Sequence, residues 1–350
     1  MKFTLHDLNR AVEQDILSPD QRDAFLRMVD DNRDPEAEFT PSHVLYYFGA
    51  LVVMAALGWF VTDAWDKLGG SGLLAVALGY AALFLLIGKR LWKKGLEVPG
   101  GLLITAAVAM TPLAVYAAQR LLGWWPDSDP GAYRDFFHWA KSGWVGMEIA
   151  TMAAGLLALR FFRFPFLTLP VAVAAWFLSM DAVGFVYGAG YDWDDRAVVS
   201  LWFGLVMIAA SFGVDRRSRL DYAFWGYLFG ALAFWGGLSV LDSNSEWSKF
   251  GYFVVNLVMM GSALLLRRRI FLILGGIGAF GYLAHLAYSV FEDSLLFPFT
   301  LSAVGLGVIW LGILCRRHAA SLTARVESLI PGPLLRQLPA WRDSSRNLHD

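Results

Sequence analysis

The chain has 350 residues, 57% of them apolar and only 17% charged, with a mean hydropathy of +0.49, whereas soluble domains carry about a quarter charged residues and a little under half apolar ones. Fifteen tryptophans and 26 phenylalanines push the same way, and 29 basic against 30 acidic residues leave a formal net charge of −1. This composition excludes a disordered chain, a nucleic-acid binder and an ordinary cytosolic enzyme, and the single cysteine, Cys315, excludes a disulfide framework and a cysteine-built metal site.

In chain order, residues 4–30 read as a short helical hairpin. Thr4 and Asp7 form a capping pair, with Leu5, Leu8 and Val12 on one face. Ser18-Pro19-Asp20-Gln21 is a second helix start, because Ser18 can cap, Pro19 suits the first helical position and Gln21 stands three after the cap. Phe25, Leu26 and Val29 then supply an apolar face. Residues 1–38 are expected to lie in the cytoplasm, packed under a membrane bundle or docking a protein partner. Ten acidic groups against five basic ones there argue against reading DNA. Residues 31–42 read as an acidic linker.

A helical span needs about 20 mostly apolar residues. Ten stretches qualify: about 43–62, 71–88, 99–123, 144–161, 164–187, 197–213, 221–241, 248–266, 270–290 and 295–315. The expected fold is therefore an all-α polytopic transmembrane bundle over 43–315. At 162–163 the only interruption is a basic pair, Arg160 and Arg163, followed by Pro165, which reads as a helix end and restart. With a cytoplasmic N-terminus, 23 of the 29 Lys and Arg residues fall on inside segments and six outside, as the positive-inside rule requires. Both termini are then cytoplasmic, and the outer loops are short, aromatic and acidic. No cleavable signal peptide is expected, and a bacterial inner membrane is the expected location. In the tail, 316–350, residues 319–330 place Leu322, Val326, Leu329 and Ile330 on one stripe, an interfacial helix under the bilayer.

The text Tyr-Tyr-Phe-Gly-Ala-Leu at 46–51, opening a helix pair that ends in basic residues, returns as Tyr-Leu-Phe-Gly-Ala-Leu at 227–232. Either a duplication or the common demands of an in–out hairpin accounts for it. Gly226 with Gly230, and the cluster from Gly275 to Gly281, are read as helix-packing faces within the bundle.

Ionisable groups inside spans are costly and therefore functional candidates. Glu148, Asp181 and His285, joined by the polar Asn256, fall in the outer half of the membrane on this topology. They are the candidate ligand- or proton-binding residues, with interhelical hydrogen bonding as the structural alternative. Asp192, Asp194 and Asp195 form a weaker candidate for an outer cation. The sequence holds no Gly-x-Ser-x-Gly, no His-Glu-x-x-His, no phosphate-binding Gly-Lys-Ser/Thr loop and no paired metal spacing among its six histidines. No cofactor, metal or catalytic residue is assigned.

The run Ala11-Val12-Glu13-Gln14-Asp15-Ile16-Leu17-Ser18-Pro19-Asp20-Gln21, followed by a linker and a span ending Leu57-Gly58-Trp59-Phe60, resembles the uncharacterised bacterial membrane proteins of domain of unknown function 2157. The resemblance covers roughly residues 1–125, and Ala287-Tyr288-Ser289-Val290-Phe291 and the Arg- and Pro-rich tail are similar too. It implies a multi-pass inner-membrane protein and brings no activity or site residues. The expected function is non-enzymatic: binding or transporting a small polar or amphipathic ligand in the outer half of the bundle. The alternative is a scaffold or sensor acting through the N-terminal hairpin.

Overall fold

The computed structural model describes residues 16–31, 41–64, 67–125, 143–187, 192–218, 220–241 and 245–291, with isolated positions between 8 and 14 and between 299 and 310. The chain divides into two compact units, Met1–Gly49 and Ala50–Asp350. In the first, α1 (Pro19–Asp31) opens on the expected box. Gln21 N–H donates to Ser18 Oγ at 3.2 Å, and Ser18 N–H donates back to Gln21 Oε1 at 2.9 Å. The preceding helix of the hairpin lies largely outside the described residues. So do most of the 295–315 stretch and the whole interfacial stripe at 319–330.

All regular structure among the described residues is helical. After α2 (Pro41–Ala64) come α3 (Gly69–Lys93), α4 (Glu97–Ala109), α5 (Thr111–Leu121), α6 (Gly143–Phe161), α7 (Thr168–Tyr187), α8 (Trp193–Asp215), α9 (Phe224–Val240), α10 (Glu246–Leu266) and α11 (Arg269–Phe291). Helices thus stand at nine of the ten expected span positions. By length and composition, six stretches among the described residues suffice to cross a membrane: Gly69–Lys93, Glu97–Leu121, Trp144–Phe161, Pro165–Gly184, Trp193–Asp215 and Arg269–Leu286, with Phe224–Val240 shorter.

Local chemistry sets the boundaries. α3 stops where Gly95 takes φ 79°, letting Leu96 N–H reach back to the Leu91 carbonyl at 3.1 Å. The expected 99–123 span is interrupted at Met110, because Pro112 lacks the N–H that would continue the ladder. The expected break after Arg160 is present. Phe164 is extended (φ −121°, ψ 112°), Pro165–Leu167 is a 3₁₀ turn, and Thr168 Oγ1 donates to the Pro165 carbonyl at 2.8 Å as α7 begins.

Within the second unit, α3 packs on α4 and α5, α6 on α7, α8 on α9 and α10 on α11, linked through α5–α6, α7–α8, α7–α9 and α9–α11. The α8–α9 seam depends on missing side chains. A Cβ on Gly230 would sit 3.1 Å from Ile208 N, one on Gly237 2.5 Å from the Ala197 carbonyl, and one on Gly204 would overlap Phe234 N. Gly226 faces the Ser211 hydroxyl in the same seam, so the Gly226/Gly230 pair serves packing inside the chain. Gly49, its counterpart in the repeated text, has no described atom within 4 Å of such a Cβ, whereas Gly230 is tightly enclosed.

Successive turns gather at two opposite ends. At one, the Trp92 ring meets Phe162 edge-on at 5.5 Å, Phe166 meets Trp225 at 5.4 Å, and Arg268 bonds Asp221 across from the neighbouring turn. Lys89, Arg90, Lys93, Lys94, Arg160, Arg163, Arg216, Arg217 and Arg267–Arg269 all belong to this basic end. Trp124, Trp193 and Trp247 stand exposed at the other, acidic end, where interfacial tryptophans belong. The flanks between the two ends expose Leu86, Leu157, Val206, Val258 and Ile273, apolar surface that a bilayer covers.

Candidate functional site

The four sequence-derived candidates separate into two seams. Glu148 lies in the second turn of α6 and Asp181 six residues before the end of α7, so the packing of α6 on α7 brings both toward the acidic end. Glu148 is only 5% exposed, and among the described residues neither of its carboxylate oxygens has a hydrogen-bond partner; Asp181 Oδ2 is buried and equally unmatched. Neighbouring polar groups are satisfied elsewhere. Thr151 Oγ1 donates to the Met147 carbonyl at 2.6 Å, and Ser179 Oγ to the Trp176 carbonyl at 2.6 Å. A buried carboxylate left this way costs free energy unless a proton, a cation or a donor group is supplied.

Asn256 and His285 belong to the α10–α11 seam. Asn256 is fully buried at the midpoint of α10. Its Nδ2 donates to the Tyr252 carbonyl at 2.8 Å, and its amide occupies the space that a Cβ on Gly278 would need. His285, six residues before the end of α11, takes a bond from Lys249 on α10, with Nζ 3.1 Å from Nε2. An ammonium can only donate, so Nε2 accepts. Lys249 also donates to Glu246 Oε1 at 2.7 Å. That hydrogen bond holds the Glu246 carboxyl below its ordinary pKa. Among the described residues, no hydrogen bond or ion pair joins Glu148 and Asp181 to His285 or Asn256.

The acidic run on α8 is used locally. Asp195 N–H donates to Asp192 Oδ1 at 2.9 Å and Asp192 N–H to Asp195 Oδ2 at 3.1 Å, a reciprocal cap. Arg196 lies over the Trp193 ring at 5.3 Å. Two of the three carboxylates thus serve the helix start rather than a cation. No three His, Cys, Asp or Glu side chains gather for a metal among the described residues.

A constellation that sequence reasoning missed stands at the basic end. Arg268, between α10 and α11, donates to Asp221 Oδ2 at 2.6 Å and Oδ1 at 2.7 Å, and to Asp215 Oδ1 at 3.1 Å. Its guanidinium also covers the Tyr227 ring at 5.2 Å. The Asp215 side chain is 2% exposed and that of Arg268 13%. Burial alone lowers the pKa of Arg268, but the bonds to Asp221 and the two carboxylate charges outweigh it and hold the guanidinium above its ordinary value. The overlooked signal is two aspartates framing an arginine-rich turn.

A family model described as "Predicted membrane protein (DUF2157)" matches residues 10–121, so the resemblance seen in the opening residues is borne out over that stretch. No curated protein and no solved structure matches the chain.

Proposed function

Since residues 10–121 match a family of membrane proteins and the helices beyond them are equally apolar, we propose that this integral membrane protein binds, and moves across the bilayer, a small polar ligand carrying positive charge. The reading rests on one observation: both oxygens of Glu148 and Oδ2 of Asp181 are buried in the α6–α7 seam with no hydrogen-bond partner among the described residues. Carboxylates are acceptor-only, so their natural complement is a cation rich in N–H groups or a bare metal cation. The test is the melting temperature of the protein in lipid nanodiscs, in sodium, potassium or ethanolammonium chloride at constant ionic strength. One cation is expected to raise it, and Glu148→Gln and Asp181→Asn are each expected to abolish that rise without lowering the baseline. Melting indifferent to all three cations overturns the proposal.

A second reading, a scaffold or sensor, draws on the separate N-terminal unit, where Ile16 and Phe25 stay exposed. On that reading, deleting residues 1–38 abolishes function in cells while Asp181→Asn leaves it intact.

A further inference from the structure

A cavity of about 760 Å³ opens between α6, α7, α8 and the start of α9, toward the basic end and away from Glu148 and Asp181. It lies within the roughly 300–1,000 Å³ range of small-molecule sites. The walls are apolar and small: Leu156 from α6, Val171 and Ala175 from α7, and Met207, Ala210 and Val214 from α8. Ser211 adds little polarity, because its hydroxyl donates to the Met207 carbonyl at 2.7 Å. The rim is different in kind, with Arg163, Arg217, Ser218 and Tyr222. Among the described residues, neither the Arg163 nor the Arg217 side chain makes a hydrogen bond or ion pair; only the Arg217 backbone N–H is used, on the Val214 carbonyl at 3.0 Å. The nearby carboxylates of Asp215 and Asp221 are engaged by Arg268. Two uncompensated guanidinium groups therefore stand over a slot that water gains nothing by filling.

We infer that this cleft seats an anionic phospholipid from the leaflet at the basic end, with one acyl chain between α6 and α8 and the phosphate held by Arg163 and Arg217. Each part of that ligand answers a feature of the cleft. The chain buries the Leu, Val and Met walls, and the phosphate takes paired N–H donors in the geometry that guanidinium favours. The basic end is also where a spanning protein meets headgroups. A zwitterionic lipid leaves the rim charge uncompensated, and a soluble anion leaves the walls empty. The inference is independent of the cation reading, which concerns the other end of α6 and α7.

Native mass spectrometry of the detergent-purified protein tests it, with phosphatidylglycerol and phosphatidylcholine of identical chains. Phosphatidylglycerol is expected to be retained with about thirtyfold preference, the scale set by two arginines at the headgroup level. The Arg163→Gln/Arg217→Gln pair is expected to lose the preference, while Lys89→Gln/Lys93→Gln, at the same end but off the rim, keeps it. Ala175→Phe, which fills the slot and spares the arginines, is expected to weaken retention of both lipids. Tryptophan-fluorescence melting establishes that each variant is folded. Equal retention of the two lipids, an undiminished preference in the arginine pair, or displacement by glycerol 3-phosphate alone overturns the inference, the last by marking a site for a soluble phosphate.

Discussion

Buried charge in this protein is handled in two opposite ways. Arg268 pairs with the buried Asp215 and the half-exposed Asp221, so removing it takes the guanidinium from two carboxylates at once; Arg268→Ala is expected to cost about 3 kcal/mol, read by chemical or thermal unfolding in micelles. Arg268→Ala with Asp215→Ala is expected to recover part of that loss, since the buried carboxylate goes with the guanidinium and the Asp221 carboxylate that remains is half exposed to water. Glu246 gives a pH-dependent contact of a gentler kind. Its folded pKa lies below its ordinary value, so the bond to Lys249 is present above the unfolded value and is lost as pH falls through the folded one. The protection of amides at the start of α10, measured relative to their intrinsic exchange at each pH, is expected to fall on acidification, and Glu246→Gln is expected to remove that fall. The sequence announced Glu148, Asp181 and His285, because a charged residue inside an apolar run is visible by itself. It gave no hint that Lys249 would occupy His285, because that pairing spans 36 residues and depends on how α10 packs against α11.

At the level of the helix, seams without side chains decide which neighbours meet. Gly204→Leu is expected to force α8 from α9 at a cost of about 1–3 kcal/mol, since a Cβ there already overlaps backbone. Gly213→Leu on the same helix, with nothing within 4 Å, is expected to be neutral; paired melting curves separate the two. Element positions were largely legible: 144–161 is realised as Gly143–Phe161, and the break at 162–167 follows from Pro165. The interruption at Met110 was not foreseen, although Pro112 stood in plain view, because an unbroken apolar run reads as continuous whether or not one hydrogen bond is missing. Which glycine opposes which helix was equally hidden. Hydropathy marks a helix as membrane-embedded but says nothing of its partners, since lipid and a neighbouring helix are alike apolar.

For the whole molecule, the charge sorting carries the strongest prediction. In a Cys315→Ser background, Ser245→Cys is expected to react with a membrane-impermeant maleimide on intact cells, and Ser218→Cys only after the membrane is opened. The reverse pattern inverts the protein. That the basic turns share an end was readable from the sequence, since it needs only alternation of loops; the cleft among α6 to α9 was not, because it depends on the angle at which α6 and α7 part after the 162–167 turn. The Arg268 clamp has a further consequence in time. Asp215 precedes Arg268 by 53 residues, and at a synthesis rate of about 5–20 residues per second it waits roughly 3–10 s for its partner. For that interval the newly inserted α8–α9 hairpin lacks the bonds that Arg268 makes to Asp215 and Asp221. Until Arg268 emerges, the turn between α8 and α9 therefore lacks its tie to the α10–α11 turn, and one late arginine completes it.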